Sequence, residues 1–182
     1  MFMHSTEEKN IYYKASDLYK SKNFGEAFKL YLELAKMGKT DCQTFVGWMF
    51  FKGEGVEVNM EKALYWMRLA AKANDLEATF SLGKIYLKQK NYKRASDCFS
   101  KAAQSEYSPA IFNLARMYNR GNYFDIDKDL AANLFKLAIS KGHLISRRDY
   151  ALMKISGYEG FIGRFSGLYE FFYGFFLAIK VT

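Results

Sequence analysis

The sequence predicts an all-α fold built from stacked helix pairs, and three observations carry that expectation. One proline, Pro109, stands in 182 residues, and valine is scarce beside alanine, leucine, lysine and tyrosine. Proline breaks helices and β-branched residues favour strands, so both facts select helix. An alanine recurs at Ala27, Ala63, Ala95 and Ala131, in steps of 36, 32 and 36 residues. Each recurrence heads a helical pattern and is preceded by a second one.

The recurring segments are GEAFKLYLELAKMG from Gly25, EKALYWMRLAAKAN from Glu61, KRASDCFSKAAQSE from Lys93 and DLAANLFKLAISKG from Asp129. Large residues follow the alanine at Tyr31, Met67, Phe99 and Phe135, then Ala35, Ala71, Ala103 and Ile139. Offsets of four and eight place them on one helical face. The preceding helices are expected over Ile11–Lys20, Asp41–Phe51, Leu76–Lys88 and Pro109–Asn119, with a fifth over Ile145–Ile155. A small residue marks each of the first four, at Ser16, Gly47, Gly83 and Ala115. It lets the paired helix approach closely, while Met49, Ile85 and Met117 two positions later fill the space between pairs. One pair cannot bury its apolar face alone, so neighbouring pairs must stack.

The segment FVGWMFFKGEGVEVNMEKALYWMRLAA resembles a Sel1-like repeat, whose pattern runs LGxxYxxGxGVxxDxxKAxxWxxxAA. Gly47, Phe50, Gly53, Gly55, Val56, Lys62, Ala63, Trp66, Ala70 and Ala71 match, and Asn59 stands where the family prefers Asp. The last copy keeps Gly121 and Asp127, but Tyr123 and Phe124 replace the Gly-Val pair. The first and third copies lack the long loop and resemble tetratricopeptide repeats. The resemblance implies a right-handed α-solenoid of about four helix pairs over residues 1–156. Residues 157–182 form a separate Gly/Phe-rich tail, expected as a C-terminal hydrophobic helix.

Catalytic and metal chemistry find no support in the sequence. The two histidines, His4 and His143, and the two cysteines, Cys42 and Cys98, lie too far apart to give ligand spacing. His143 follows Gly142 at a helix end, where a cation suits the dipole. Asp125-x-Asp127-x-Asp129 lacks the glycine and distal glutamate of a calcium loop, so Asp127 reads as a helix N-cap. Gly53-x-Gly55 lacks the third glycine and preceding strand of a phosphate loop. It reads as a turn, with Val56 tucking the loop against the pair and Asn59 capping the next helix. No enzyme activity and no cofactor are expected.

The net charge of +8 is spread along the chain rather than concentrated on one element, which argues against a nucleic-acid partner. The start MFMHSTEEKN has no apolar signal core, so a cytoplasmic chain is expected. The fold and the resemblance point to an adaptor that binds a protein or peptide; no oligomeric state follows. Tetratricopeptide register places Tyr13, Thr44, Phe80, Phe112 and Arg148 in one row along the inner surface. Asp17, Trp48, Lys84, Arg116 and Leu152 form the next. Aromatics interleaved with cations suit an acidic, partly apolar peptide.

The tail, GYEGFIGRFSGLYEFFYGFFLAIKVT, sets Gly160, Gly163, Gly167 and Gly174 on one face. Phe161, Phe165, Leu168, Phe172, Phe175 and Ile179 lie on another, with Phe176 beside them. As a helix, the stretch from Phe161 to Ile179 reaches about 28 Å, near a bilayer's hydrocarbon thickness. Glu170 near its centre opposes a span by roughly 2.5–3.5 kcal/mol. A cap on the last repeat or a partner-binding helix is the first expectation. Membrane association through the aromatic face is the alternative.

Overall fold

The computed structural model describes residues 6–179, with side chains described throughout except at 161 and 174–179. Ten helices and no strand occur among the described residues: α1 Thr6–Lys20, α2 Phe24–Lys36, α3 Thr40–Lys52, α4 Met60–Lys72, α5 Leu76–Lys88, α6 Tyr92–Gln104, α7 Ser108–Arg120, α8 Lys128–Ser140, α9 Leu144–Ile155 and α10 Gly160–Ile179. Two compact units divide the chain, the first ending at Ile85 and the second beginning at Tyr86. Helix α1 starts five residues before the expected Ile11. Glu7 and Glu8 occupy its first turn, where carboxylates favour the positive end of the helix dipole. Glu8 is also held by Lys39 at 2.6 Å, an ion pair that no local pattern announces.

The recurring alanines occupy the tightest places in both units. Ala27, Ala63, Ala95 and Ala131 are completely buried, as are Met67, Phe99 and Phe135 one turn later. In the first unit a side-chain carbon added at Gly47 would stand 2.7 Å from Met67 Cγ and 3.1 Å from the Ala63 carbonyl. The close approach expected of that glycine is present between α3 and α4. The cores of the units differ in filling. Tyr31, Leu34, Val46, Met49 and Phe50 fill the first, and Ile111, Phe112, Phe135, Tyr150 and Met153 fill the second.

Each alanine-marked helix ends in the same way. A left-handed residue follows at Gly38, Asn74, Glu106 and Gly142, spaced like the alanines. The next backbone N–H then reaches back to Leu34, Ala70, Ala102 and Ala138 respectively. That six-residue bond satisfies a carbonyl that the helix end leaves open and reverses the chain. The long loops after α3 and α7 share a second device. Gly53 and Gly121 terminate the helices in left-handed conformation, and Asn59 and Asp127 bond back to the Phe50 and Tyr118 carbonyls. Asn59 and Asp127 then cap α4 and α8, accepting from the Lys62 and Leu130 amides at 2.9 and 2.8 Å. Val56 packs against the first core as expected. In the last repeat Phe124 stacks on Tyr118 instead, with centroids 4.2 Å apart.

His143 stands at a helix end as expected, its N–H closing the C-terminus of α8 on the Ala138 carbonyl, and it is at the same time the N-cap of α9. The positive end of a helix dipole opposes a cation there. Its ring meets that of Phe112 at a tilt with centroids 4.5 Å apart, and Nδ1 pairs with Ser146 Oγ at 2.8 Å. Burial holds its pKa below the usual histidine value, with Asp149 opposing. A pKa lowered on folding gives stability that is complete above pH 6.5 and lost as pH falls. The midpoint of thermal unfolding should therefore drop between pH 7.5 and pH 5, and His143→Asn should flatten that dependence.

Helix α10 packs along α9 with Gly167 at the crossing, while Gly163 faces the turn at Tyr158 and Glu159 and Gly160 is exposed. Gly163 and Gly167 are buried, and a side chain at Gly167 would stand 2.7 Å from the Ala151 carbonyl. Glu170, whose charge counted against a membrane span, is bound 2.9 Å from Lys154 Nζ. Lys154 is itself buried, 3.7 Å from Glu159 and over the Tyr150 ring. Tyr158 donates to Asp129 at 2.8 Å, tying the turn before α10 to α8. No helix among the described residues is long and apolar enough to cross a membrane.

Candidate partner-binding surface

In the first unit, α3 and α5 bring Trp48, Phe80 and Lys84 together. These helices are consecutive first members of their pairs, so residues one repeat apart stand side by side. Lys84 Nζ lies 4.8 Å from the Trp48 ring centre and 5.4 Å from that of Phe80. Trp48 stacks on Phe51 at 5.1 Å and carries Lys52 at 5.2 Å. Lys84 is exposed and both rings are half-buried. An ammonium over ring faces is attracted by their quadrupoles, by about 0.5–1 kcal/mol where water has access. The cluster thus presents a cation already placed above an apolar floor.

The other residues expected on this surface fall into different settings. Tyr13 is exposed and meets Tyr12 edge-on at 6.2 Å. Asp17 is exposed and lies 3.5 Å from Lys20. Thr44 is buried, and its hydroxyl donates to the Thr40 carbonyl at 3.1 Å. It offers a partner little side chain. Beside α1, a cavity of about 260 Å³ is lined by Tyr12, Tyr19, Tyr31, Asp41 and Phe45, among others. Tyr19 donates from this wall to Glu54 at 2.5 Å, and that bond leads in pushing its pKa up to about 12. The bond pins the α3–α4 loop against α1.

In the second unit, Phe112 is core rather than surface, packed against Phe135 at 6.0 Å and His143. Arg116 lies over its ring at 5.5 Å. Arg116 and Arg148 do come together, through Asp149, which stands 3.5 Å from Arg116 Nε and 2.9 Å from Arg148 Nη2. Leu152 is exposed beside them. Sequence reasoning missed Asp149 and Arg120. The signals were present: Arg120 lies one turn after Arg116, and Asp149 directly follows Arg148. On α10, Phe165 and Phe172 are exposed together with Ile162, Tyr169 and Tyr173. Phe161, Phe175 and Phe176 lie outside the described residues as far as side chains are concerned. No group of three or more His, Cys, Asp or Glu side chains suited to a metal ion occurs among the described residues. Burial pushes the Cys42 thiol above its ordinary range, which leaves it a poor nucleophile.

Comparison with known proteins agrees with the repeat boundaries. The Sel1 repeat family model matches four times, over residues 11–39, 40–75, 76–107 and 108–143. A sel1-like repeat-containing protein of Acanthamoeba polyphaga mimivirus is 32% identical over 136 residues, which is 70% of this chain and 25% of that protein. The DAP3-binding cell death enhancer 1 of Rattus norvegicus is 32% identical over 97 residues, 51% of this chain and 19% of its own length. The chain thus spans about a quarter or less of these relatives. The crystal structure of a Sel1 repeat protein from Oxalobacter formigenes superposes with a TM-score of 0.71 at 22% identity, covering 79% of this chain and 62% of that one. That likeness concerns the fold alone, an all-helical repeat. The four matches run from residue 11 to residue 143, with the boundaries between them falling at helix-pair junctions seen in the structure, and the chain belongs to the Sel1 repeat family.

Proposed function

We propose that the protein is a non-enzymatic adaptor that holds an acidic, partly apolar peptide on the exposed face of its first-member helices. The observation carrying this reading is the Lys84 ammonium held over Trp48 and Phe80. A peptide carboxylate would pair with Lys84 while its neighbouring apolar side chain covers the rings. Holding these groups in place beforehand reduces the ordering cost of binding. The rat relative's name, which describes binding to another protein, supports the same class of activity.

Selection of a random peptide library displayed on phage against the intact protein tests the reading. Enriched peptides should combine Asp or Glu with an aromatic or aliphatic residue, and Lys84→Glu should abolish their capture. Enrichment without acidic residues, or capture indifferent to Lys84→Glu, would overturn it.

A second reading rests on the exposed aromatic side of α10, formed by Phe165, Tyr169, Phe172 and Tyr173. An amphipathic helix with this face and a basic body suits attachment to an anionic membrane surface. Flotation with phosphatidylserine vesicles checks it: wild-type protein should float, and a Phe165→Ser/Phe172→Ser variant should not.

A further inference from the structure

The second unit holds a cleft that the Lys84 cluster leaves unused. Arg116 and Arg120, one turn apart on α7, meet Arg148 on α9 around a volume of about 370 Å³. Asn119, Leu152 and Ser156 also line it, and Asp149 is the one carboxylate there. That carboxylate is heavily committed. Its Oδ1 accepts from Arg148 Nε at 3.2 Å and Nη2 at 2.9 Å. Its Oδ2 lies 3.5 Å from Arg116 Nε, an ion-pair distance without hydrogen-bond alignment. Arg116 Nε is shut off from water and has no hydrogen-bond partner. A donor closed to water is closed to a ligand as well, so Arg116 serves the cleft through the rest of its guanidinium, the side chain being 35% exposed.

Charge adds to the same imbalance. Three guanidinium groups face one carboxylate. Burial first, then Arg120 and Arg148, hold Arg116 below the usual arginine value, with Asp149 offsetting part of the effect. Arginine stays protonated regardless, so the cleft keeps its surplus positive charge. A planar guanidinium fork matches two carboxylate oxygens, and such charge-assisted bonds are stronger than neutral ones.

We propose that this cleft is a carboxylate-binding subsite, taking a Glu or Asp side chain of a bound polypeptide through Arg116, Arg120 and Arg148. The proposal rests on the peptide-binding reading only for the ligand's being a polypeptide, and it concerns the second unit by itself. Leu152 gives the methylene stem of a glutamate an apolar wall. No aromatic residue lines the cleft to stack a nucleic-acid base.

Fluorescence anisotropy with fluorescein-labelled hexaglutamate at 50 mM salt tests the assignment on the full chain. Arg120→Gln and Arg148→Gln should each weaken binding about tenfold, the loss of one charge-assisted contact. Arg116→Lys should weaken it as well although the charge is kept, because the fork is lost. Circular dichroism confirms that each variant is folded. Lys72→Gln, an exposed charge on α4, should change binding less than twofold. Capture of the phage-selected peptides by Lys84→Glu reads the other cluster separately, so failure there and failure here are distinct results. Equal weakening by Lys72→Gln and Arg148→Gln would reduce the effect to net charge and overturn the site. Inorganic phosphate displacing the peptide at lower concentration than glutarate would overturn the carboxylate assignment.

Discussion

Gly55→Ala is expected to destabilise the first unit by about 2–5 kcal/mol, through two separate effects. The residue sits at φ 75°, where an alanine costs roughly 1–2 kcal/mol. Its added carbon would also stand 2.1 Å from the Phe24 carbonyl oxygen, which is backbone and cannot turn aside. Forced overlap of this kind adds roughly 1–3 kcal/mol. For a chain of this size the melting midpoint should fall by roughly 2–4 °C per kcal/mol. Gly38→Ala separates the two causes, since φ there is 87° and nothing lies within 4 Å of the added carbon. It should cost only the conformational part. Equal losses in thermal melts of the two variants would show that contact with Phe24 contributes nothing. Tyr123, at the matching place in the last repeat, adopts φ 76° with an exposed side chain. Its loop tolerates a side chain that the first loop cannot.

Phe135→Ala should cost about 3–5 kcal/mol, the range for emptying a buried aromatic site. The ring is completely buried, with Phe112 at 6.0 Å and Tyr150 at 6.4 Å, so it joins α7, α8 and α9. Leu137→Ala, two residues away on the exposed side of α8, should stay within about 0.5 kcal/mol. Because repeats couple mainly to their neighbours, hydrogen exchange gives the more specific readout. Amides of α7 to α9 should lose protection while those of α1 to α3 keep it. Uniform loss along the chain would contradict the local account.

The repeat was legible because helix packing writes itself into spacing. The alanine steps of 36, 32 and 36 residues reappear unchanged in the left-handed turns from Gly38 to Gly142. Gly47, Gly53, Gly55, Asn59 and Asp127 each do what their position in the pattern implies. Surface assignment was less legible. Phe112 satisfies the register of an inner row, yet His143 at the head of α9 covers its ring. Helical periodicity gives the direction of a side chain but not what the next pair lays across it. Glu170 had the same difficulty. Its charge looked unsuited to an apolar helix until the α9–α10 crossing set Lys154 beside it, 16 residues away in sequence. The arginine cleft depends likewise on Asp149, whose role follows from the packing of α7 near α9 rather than from any local motif.

The central claim is that a bound peptide contacts the Trp48–Lys84 face. The chain has two tryptophans, so Trp66→Phe leaves Trp48 as the sole reporter. Titrating that variant with a phage-selected acidic–aromatic peptide should shift Trp48 emission saturably, with the midpoint matching calorimetry, and Lys84→Glu should abolish both signals. A peptide that binds by calorimetry while leaving Trp48 emission unchanged would contradict the account.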